Sequence, residues 1–213
     1  MSFVGQTLVP APHGQLEAIY HPAGGSAERA ALILHPHPLY GGTMHNKVVY
    51  QTAKALEAAG FATLRINFRG VGTSTGDYDD GRGELDDARV GLDYLLTDQP
   101  RAREVVVAGF SFGAAVALSC GCADRRVQRI IAIATPARWL AAGLLAECAK
   151  PIAFIHGADD DLAPLAAVQD LQRSAGRPDV QLRVIPGADH FFEHHLEALR
   201  TAVREIVSPV QAE

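Results

Sequence analysis

Val105-Val106-Val107-Ala108-Gly109-Phe110-Ser111-Phe112-Gly113 is the stretch that decides the fold. Its first four residues are apolar and mostly β-branched, and they read as a buried strand. From Phe112 to Cys122 the chain is rich in small residues and reads as a helix. Between the two lies a turn with serine at its apex and glycine two residues to either side. A strand-to-helix turn this sharp forces the serine into a strained backbone region, and side chains at the glycine positions would collide. The helix that follows aims unpaired N–H groups at the same point. Strand, tight turn and helix together form a nucleophile elbow.

The elements on either side have the same rhythm. Leu16–Tyr20, Ala30–Leu34, Phe61–Asn67, Ile130–Ala134, Pro151–His156 and Gln181–Ile185 read as strands. Lys47–Ala59, Glu84–Asp98, Leu165–Arg173 and His194–Val207 read as helices, with Gly60 closing the first. Strand and helix in alternation predict an α/β fold, a mostly parallel central sheet with helices on both faces. Gly70–Gly83 reads as one long loop.

The 213 residues, 48% of them hydrophobic, fit one domain over 1–213. A net charge of −5 with no basic block gives no electrostatic drive toward nucleic acid or an anionic membrane. Met1–Pro10 lacks the features of a signal peptide, and no apolar run is long enough to span a bilayer. The three cysteines, Cys120, Cys122 and Cys148, read as buried thiols of a cytoplasmic protein.

Two later segments complete a constellation around Ser111. His156-Gly157-Ala158-Asp159-Asp160-Asp161 follows one predicted strand, and Gly187-Ala188-Asp189-His190 follows the next. Nucleophile, acid and histidine thus come in the chain order that this elbow requires, each just past the carboxyl end of a strand, where open α/β sheets form their sites. His190 is the histidine, and any of the three aspartates could be the acid.

His35-Pro36-His37-Pro38-Leu39-Tyr40-Gly41-Gly42, Asn46-Lys47, Asn67-Phe68-Arg69-Gly70-Val71-Gly72, the elbow, and Gly187-Ala188-Asp189-His190-Phe191-Phe192 together resemble the α/β-hydrolase superfamily. More closely, the chain is similar to a group of small bacterial serine hydrolases without a lid. The resemblance implies a Ser111–Asp160–His190 triad, since in the superfamily the acid commonly stands third after the glycine of a His-Gly pair. It implies a carboxylesterase-like reaction on small acyl esters or thioesters through an acyl-enzyme, with no cofactor.

An oxyanion hole needs two preorganised donors. One is the N–H of Phe112, the residue after the nucleophile. The other belongs to the loop after Ala30–Leu34, where Pro36 and Pro38 have no N–H to give. His37, Leu39 and Tyr40 remain, and the resemblance favours His37 or Leu39. The stretch Thr135–Lys150 has room for at most a short helix around Arg138–Cys148, too little for a closing lid. Trp139 and Leu140 within it are the candidate acyl-side wall, and Tyr40 is a further candidate substrate-binding residue.

Other chemistries fit less well. His35, His37 and His45 lack the converging carboxylates of a metal site. Asp77–Gly81 misses the calcium-loop pattern, and the third glycine after Gly70-x-Gly72 comes one place late for a dinucleotide loop. A transacylase, a peptidase or a binding protein that keeps the triad as a relic would show the same motifs.

Overall fold

A computed structural model describes residues 5–23, 28–141 and 143–208. Eight strands form one sheet in the order β1-β2-β4-β3-β5-β6-β7-β8. They are β1 (Gly5–Ala11), β2 (Gly14–His21), β3 (Arg29–Leu34), β4 (Ala62–Ile66), β5 (Glu104–Phe110), β6 (Arg129–Ile133), β7 (Ile152–Gly157) and β8 (Val180–Ile185). From β4 onward along the sheet every pairing is parallel, while β1 and β2 pair antiparallel at one edge.

The central strands are apolar on both faces because each face is covered. Along β5, Val105 and Val107 enter one core, and Val106, Ala108 and Phe110 enter the other. The same alternation runs through Ile130/Ala132 against Ile131/Ile133 of β6, and Ile152/Phe154 against Ala153/Ile155 of β7. The helices α1 (Lys47–Ala58) and α6 (Leu196–Val207) cover one face. On the other lie α2 (Arg82–Asp98), α3 (Phe112–Ala123), α4 (Leu144–Glu147) and α5 (Leu165–Ala175). Asn46 starts α1 by accepting the Val48 N–H at 2.9 Å, and Glu84 reaches back from α2 to the Gly81 N–H at 2.8 Å.

The sequence reading differs from the structure in four places. It missed β1, whose hairpin with β2 forms although Pro10 lies in the strand; an edge strand tolerates the lost donor. Thr135–Lys150 holds a 3-10 turn, Ala137–Trp139, and the four-residue α4 rather than a single helix. His194 and His195 precede α6 instead of lying on it. The thiol reading is corrected for two of the three cysteines: Cys122 and Cys148 form a disulfide, with Cα atoms 5.0 Å apart. The fold brings the last turn of α3 against the residue after α4, a proximity that no spacing in the sequence announces. Cys120 is the free, buried thiol, and burial pushes its pKa up to about 12. Among the described residues no helix is long and apolar enough to cross a membrane.

Candidate active site

Four loops meet at the carboxyl ends of the parallel strands. Ser111 follows β5 with φ 55° and ψ −119°, a conformation rare for any residue with a side chain. The flanking glycines are required by close approach. A Cβ on Gly109 would stand 2.0 Å from the Gly113 carbonyl oxygen, and one on Gly113 would stand 2.4 Å from the His35 carbonyl oxygen. The Ser111 N–H donates to the Ile133 carbonyl at 2.8 Å, pinning the turn to β6.

His190, from the loop after β8, bridges to the acid after β7. Its Nδ1 lies 2.8 Å from Asp160 Oδ2, and its Nε2 lies 3.0 Å from Ser111 Oγ. The chemistry of the partners fixes the proton positions. Burial alone would raise the Asp160 pKa, but the hydrogen bond from His190, the Ala163 N–H and the nearby imidazoles outweigh it and hold the carboxyl below its ordinary value. An ionised carboxylate only accepts, so Nδ1 carries the proton and Nε2 is free to accept from the serine hydroxyl. Asp160 Oδ1 takes two further N–H donors, Leu162 at 3.0 Å and Ala163 at 2.7 Å. Buried His156 stands behind it, 3.4 Å from Oδ2, and donates to the Ala163 carbonyl. Asp159 and Asp161 point outward and are exposed, which settles which of the three aspartates meets the histidine.

The loop after β3 is held by its histidines. His35 is fully buried and accepts the Phe68 N–H through Nε2 at 3.0 Å, so its Nδ1–H donates to the Pro36 carbonyl at 2.6 Å. His37 Nδ1 accepts the Leu39 N–H at 3.2 Å, and its Nε2 faces the Tyr78 hydroxyl at 3.2 Å. Its ring packs within about 5 Å of Tyr40, Tyr78, Phe112 and Trp139. The bond to His37 Nδ1 engages the Leu39 N–H within the loop itself. The Tyr40 N–H is likewise spent on the His37 carbonyl at 3.1 Å. Of the amides read from this loop, only that of His37 has no acceptor among the described residues. Phe112, as the first residue of α3, has an N–H with no acceptor in its own helix.

A cavity of about 540 Å³ opens over Ser111. Tyr40 and Trp139 line it, as does the ring of Phe112, whereas Leu140 packs against the core instead. Sequence reasoning missed Arg138, Leu162 and Phe191 in the lining. Each is a neighbour or near neighbour of a residue that it did single out. Among the described residues no group of three or more His, Cys, Asp and Glu side chains could hold a metal.

The sequence model of the family described as serine aminopeptidase, S33, matches residues 27–150, more than half of the chain. The chain belongs to this family. An uncharacterised protein of Rickettsia prowazekii is 36% identical over 208 residues, 94% of this chain and 87% of that protein. An α/β serine hydrolase homologue of Coxiella burnetii shares 34% identity over 98% of this chain and 99% of its own, with a TM-score of 0.89. A Xanthomonas campestris protein described as an α/β serine hydrolase without a lid shares 33% over 98% and 96%, with a TM-score of 0.87. The fold of this S33-family member is the α/β-hydrolase fold in its lid-less form.

Proposed function

We propose that this single-domain chain is a serine hydrolase that cleaves small acyl esters or thioesters. The observation that carries the reading is the continuous hydrogen-bonded relay from Ser111 Oγ through His190 to Asp160. In this reading Ser111 Oγ attacks the acyl carbonyl as His190 Nε2 takes its proton. Asp160 keeps the imidazole in the tautomer that can accept, and stabilises the imidazolium. The N–H groups of Phe112 and His37 receive the oxyanion. His190 then protonates the leaving alkoxide or thiolate, and a water that it deprotonates releases the acid from Ser111. The residues need no cofactor for these steps.

The family's description raises a second possibility, cleavage at a peptide's amino terminus. Such a substrate carries an ammonium group, and among the described residues no aspartate or glutamate lines the cavity to receive one. This favours the ester reading.

A fluorophosphonate probe tests the proposal. It should label the wild-type protein stoichiometrically and leave Ser111→Ala unlabelled, with turnover of para-nitrophenyl acetate lower by several orders of magnitude in the variant. Equal labelling of both proteins would reject Ser111 as the nucleophile. An unlabelled wild type would point to a binding protein.

A further inference from the structure

The cavity over Ser111 has a charge asymmetry that the acyl-transfer steps do not use. Among the described residues Arg138 is the sole lysine or arginine lining it, and no carboxylate lines it, in a chain where 24 acidic residues outnumber 19 basic ones. Elsewhere Arg29, Arg69, Arg126 and Arg177 close ion pairs with carboxylates. Among the described residues Arg138 has no carboxylate at ion-pair distance, and its one hydrogen bond is a long one, Nη1 to the Leu162 carbonyl at 3.4 Å. A guanidinium has five N–H donors in a rigid fork, so most of its donors remain unused beside the nucleophile. Trp139, Phe112 and Leu162 surround the same space with apolar surface.

We propose that Arg138 makes this site selective for acyl substrates that carry a carboxylate on the part lodged against the Arg138–Trp139 wall. The inference rests on the serine hydrolase reading and names its substrate class. A planar fork meets a carboxylate through two parallel hydrogen bonds, a geometry that a neutral ester cannot satisfy. In open water such a pair is worth little. Here a bound substrate displaces water between the aromatic walls and strengthens the pairing, while Arg138, exposed at the cavity mouth, stays open enough to solvent for salt to screen it in part. No acidic residue among the described lining competes for the guanidinium.

Two matched substrate pairs test this and show on which side of the scissile bond the charge sits. Mono-para-nitrophenyl adipate and its methyl ester place it on the acyl side; para-acetoxybenzoate and its methyl ester place it on the leaving group. The quantity read is the ratio of kcat/KM for the anionic over the neutral member, taken within each protein so that a general loss of activity cancels. For at least one pair the wild-type ratio should exceed that of Arg138→Gln by about five- to tenfold, the size expected of one partly screened charge-assisted contact. The difference should sit in KM, be partly kept by Arg138→Lys, and shrink as salt is raised. Equal ratios in wild type and Arg138→Gln for both pairs would overturn the inference while leaving the hydrolase reading intact. If wild type cleaves no member of either pair, the hydrolase reading has failed. Calorimetric binding of the anionic esters to Ser111→Ala protein, with and without Arg138→Gln, then decides the role of Arg138, and equal affinity rejects it.

Discussion

His35 sits fully buried at the end of β3, with both ring nitrogens bonded to backbone, and burial pushes its pKa down to about 4. In the unfolded chain it titrates near 6.5. Below that pH the unfolded state binds a proton that the folded state refuses, so the stability it contributes is present above pH 6.5 and is lost as pH falls toward 4. Between pH 7 and pH 5 the His35 share of that loss is about 2 kcal/mol. Buried His156, also held below its ordinary pKa by desolvation, adds a loss of the same sign. Urea titrations at the two pH values should show the loss in wild type and a loss smaller by about 2 kcal/mol in His35→Gln. Identical pH sensitivity in the two proteins would remove His35 as its source. At this scale the sequence showed what local chemistry dictates. Ser111 and His190 stood out because an elbow and a strand-end histidine need only their neighbours. The choice of Asp160 over Asp159 and Asp161 came only from resemblance, because it turns on which side chain points inward. The grip of His37 on its loop was not legible, since its ring meets Tyr78 and Trp139, which are far away in the chain.

The elements show why motifs around the site can be specific without being catalytic. In Asn67-Phe68-Arg69 the Asn67 side chain accepts the Met44 N–H at 2.8 Å and donates to Glu17 at 2.8 Å. Phe68 N–H holds His35, and Arg69 grips the buried Asp87 of α2 through Nη2 at 2.8 Å. This stretch, which runs on into the Gly70-Val71-Gly72 that could suggest a nucleotide loop, ties β2, β4 and α2 together beneath the loop after β3. The Cys122–Cys148 disulfide does the same for the opposite wall, anchoring the segment that bears Arg138 and Trp139 to the end of α3. It closes a loop with a sequence separation of 26, for which the chain-entropy account gives about 3.5 kcal/mol of stabilisation. Protein denatured without reductant should therefore take up one alkyl group, on Cys120, and three after reduction. Reduction should also lower the unfolding free energy by about that amount. Three alkyl groups without reductant, in protein kept from air since lysis, would return these cysteines to the thiols that their spacing suggests, as a reducing compartment requires.

Across the whole molecule the fold was largely legible because each central strand carries apolar residues on both faces, and only a sheet covered on both sides has that need. The edge hairpin was not, since β1 buries Val9 alone, leaves Leu8 half exposed and carries Pro10 within the strand. The absence of a lid was legible as a shortage of residues after β6, and the structure turns that shortage into a shape. Among the described residues between β6 and β7 no helical element is longer than the four-residue α4, and the site faces solvent between Tyr40, 86% exposed, and Trp139, 36% exposed. Each methylene that an acyl chain buries adds about 0.8 kcal/mol to binding. That gain accrues only while protein covers the chain on several sides. The cavity of about 540 Å³ must also hold the leaving group, so the gain should stop after the first few carbons. For para-nitrophenyl esters from two to sixteen carbons, kcat/KM should rise over the short acyl groups and then level or fall. With no hinged flap to open at a lipid surface, the rate should show no jump as substrate passes its critical micelle concentration. A steady climb to the longest chains would mean that apolar surface beyond this cavity closes over the substrate. A jump at the micelle threshold would mean that the wall carrying Trp139 moves, and either result would overturn the reading of a site that is open at rest and stays open in turnover.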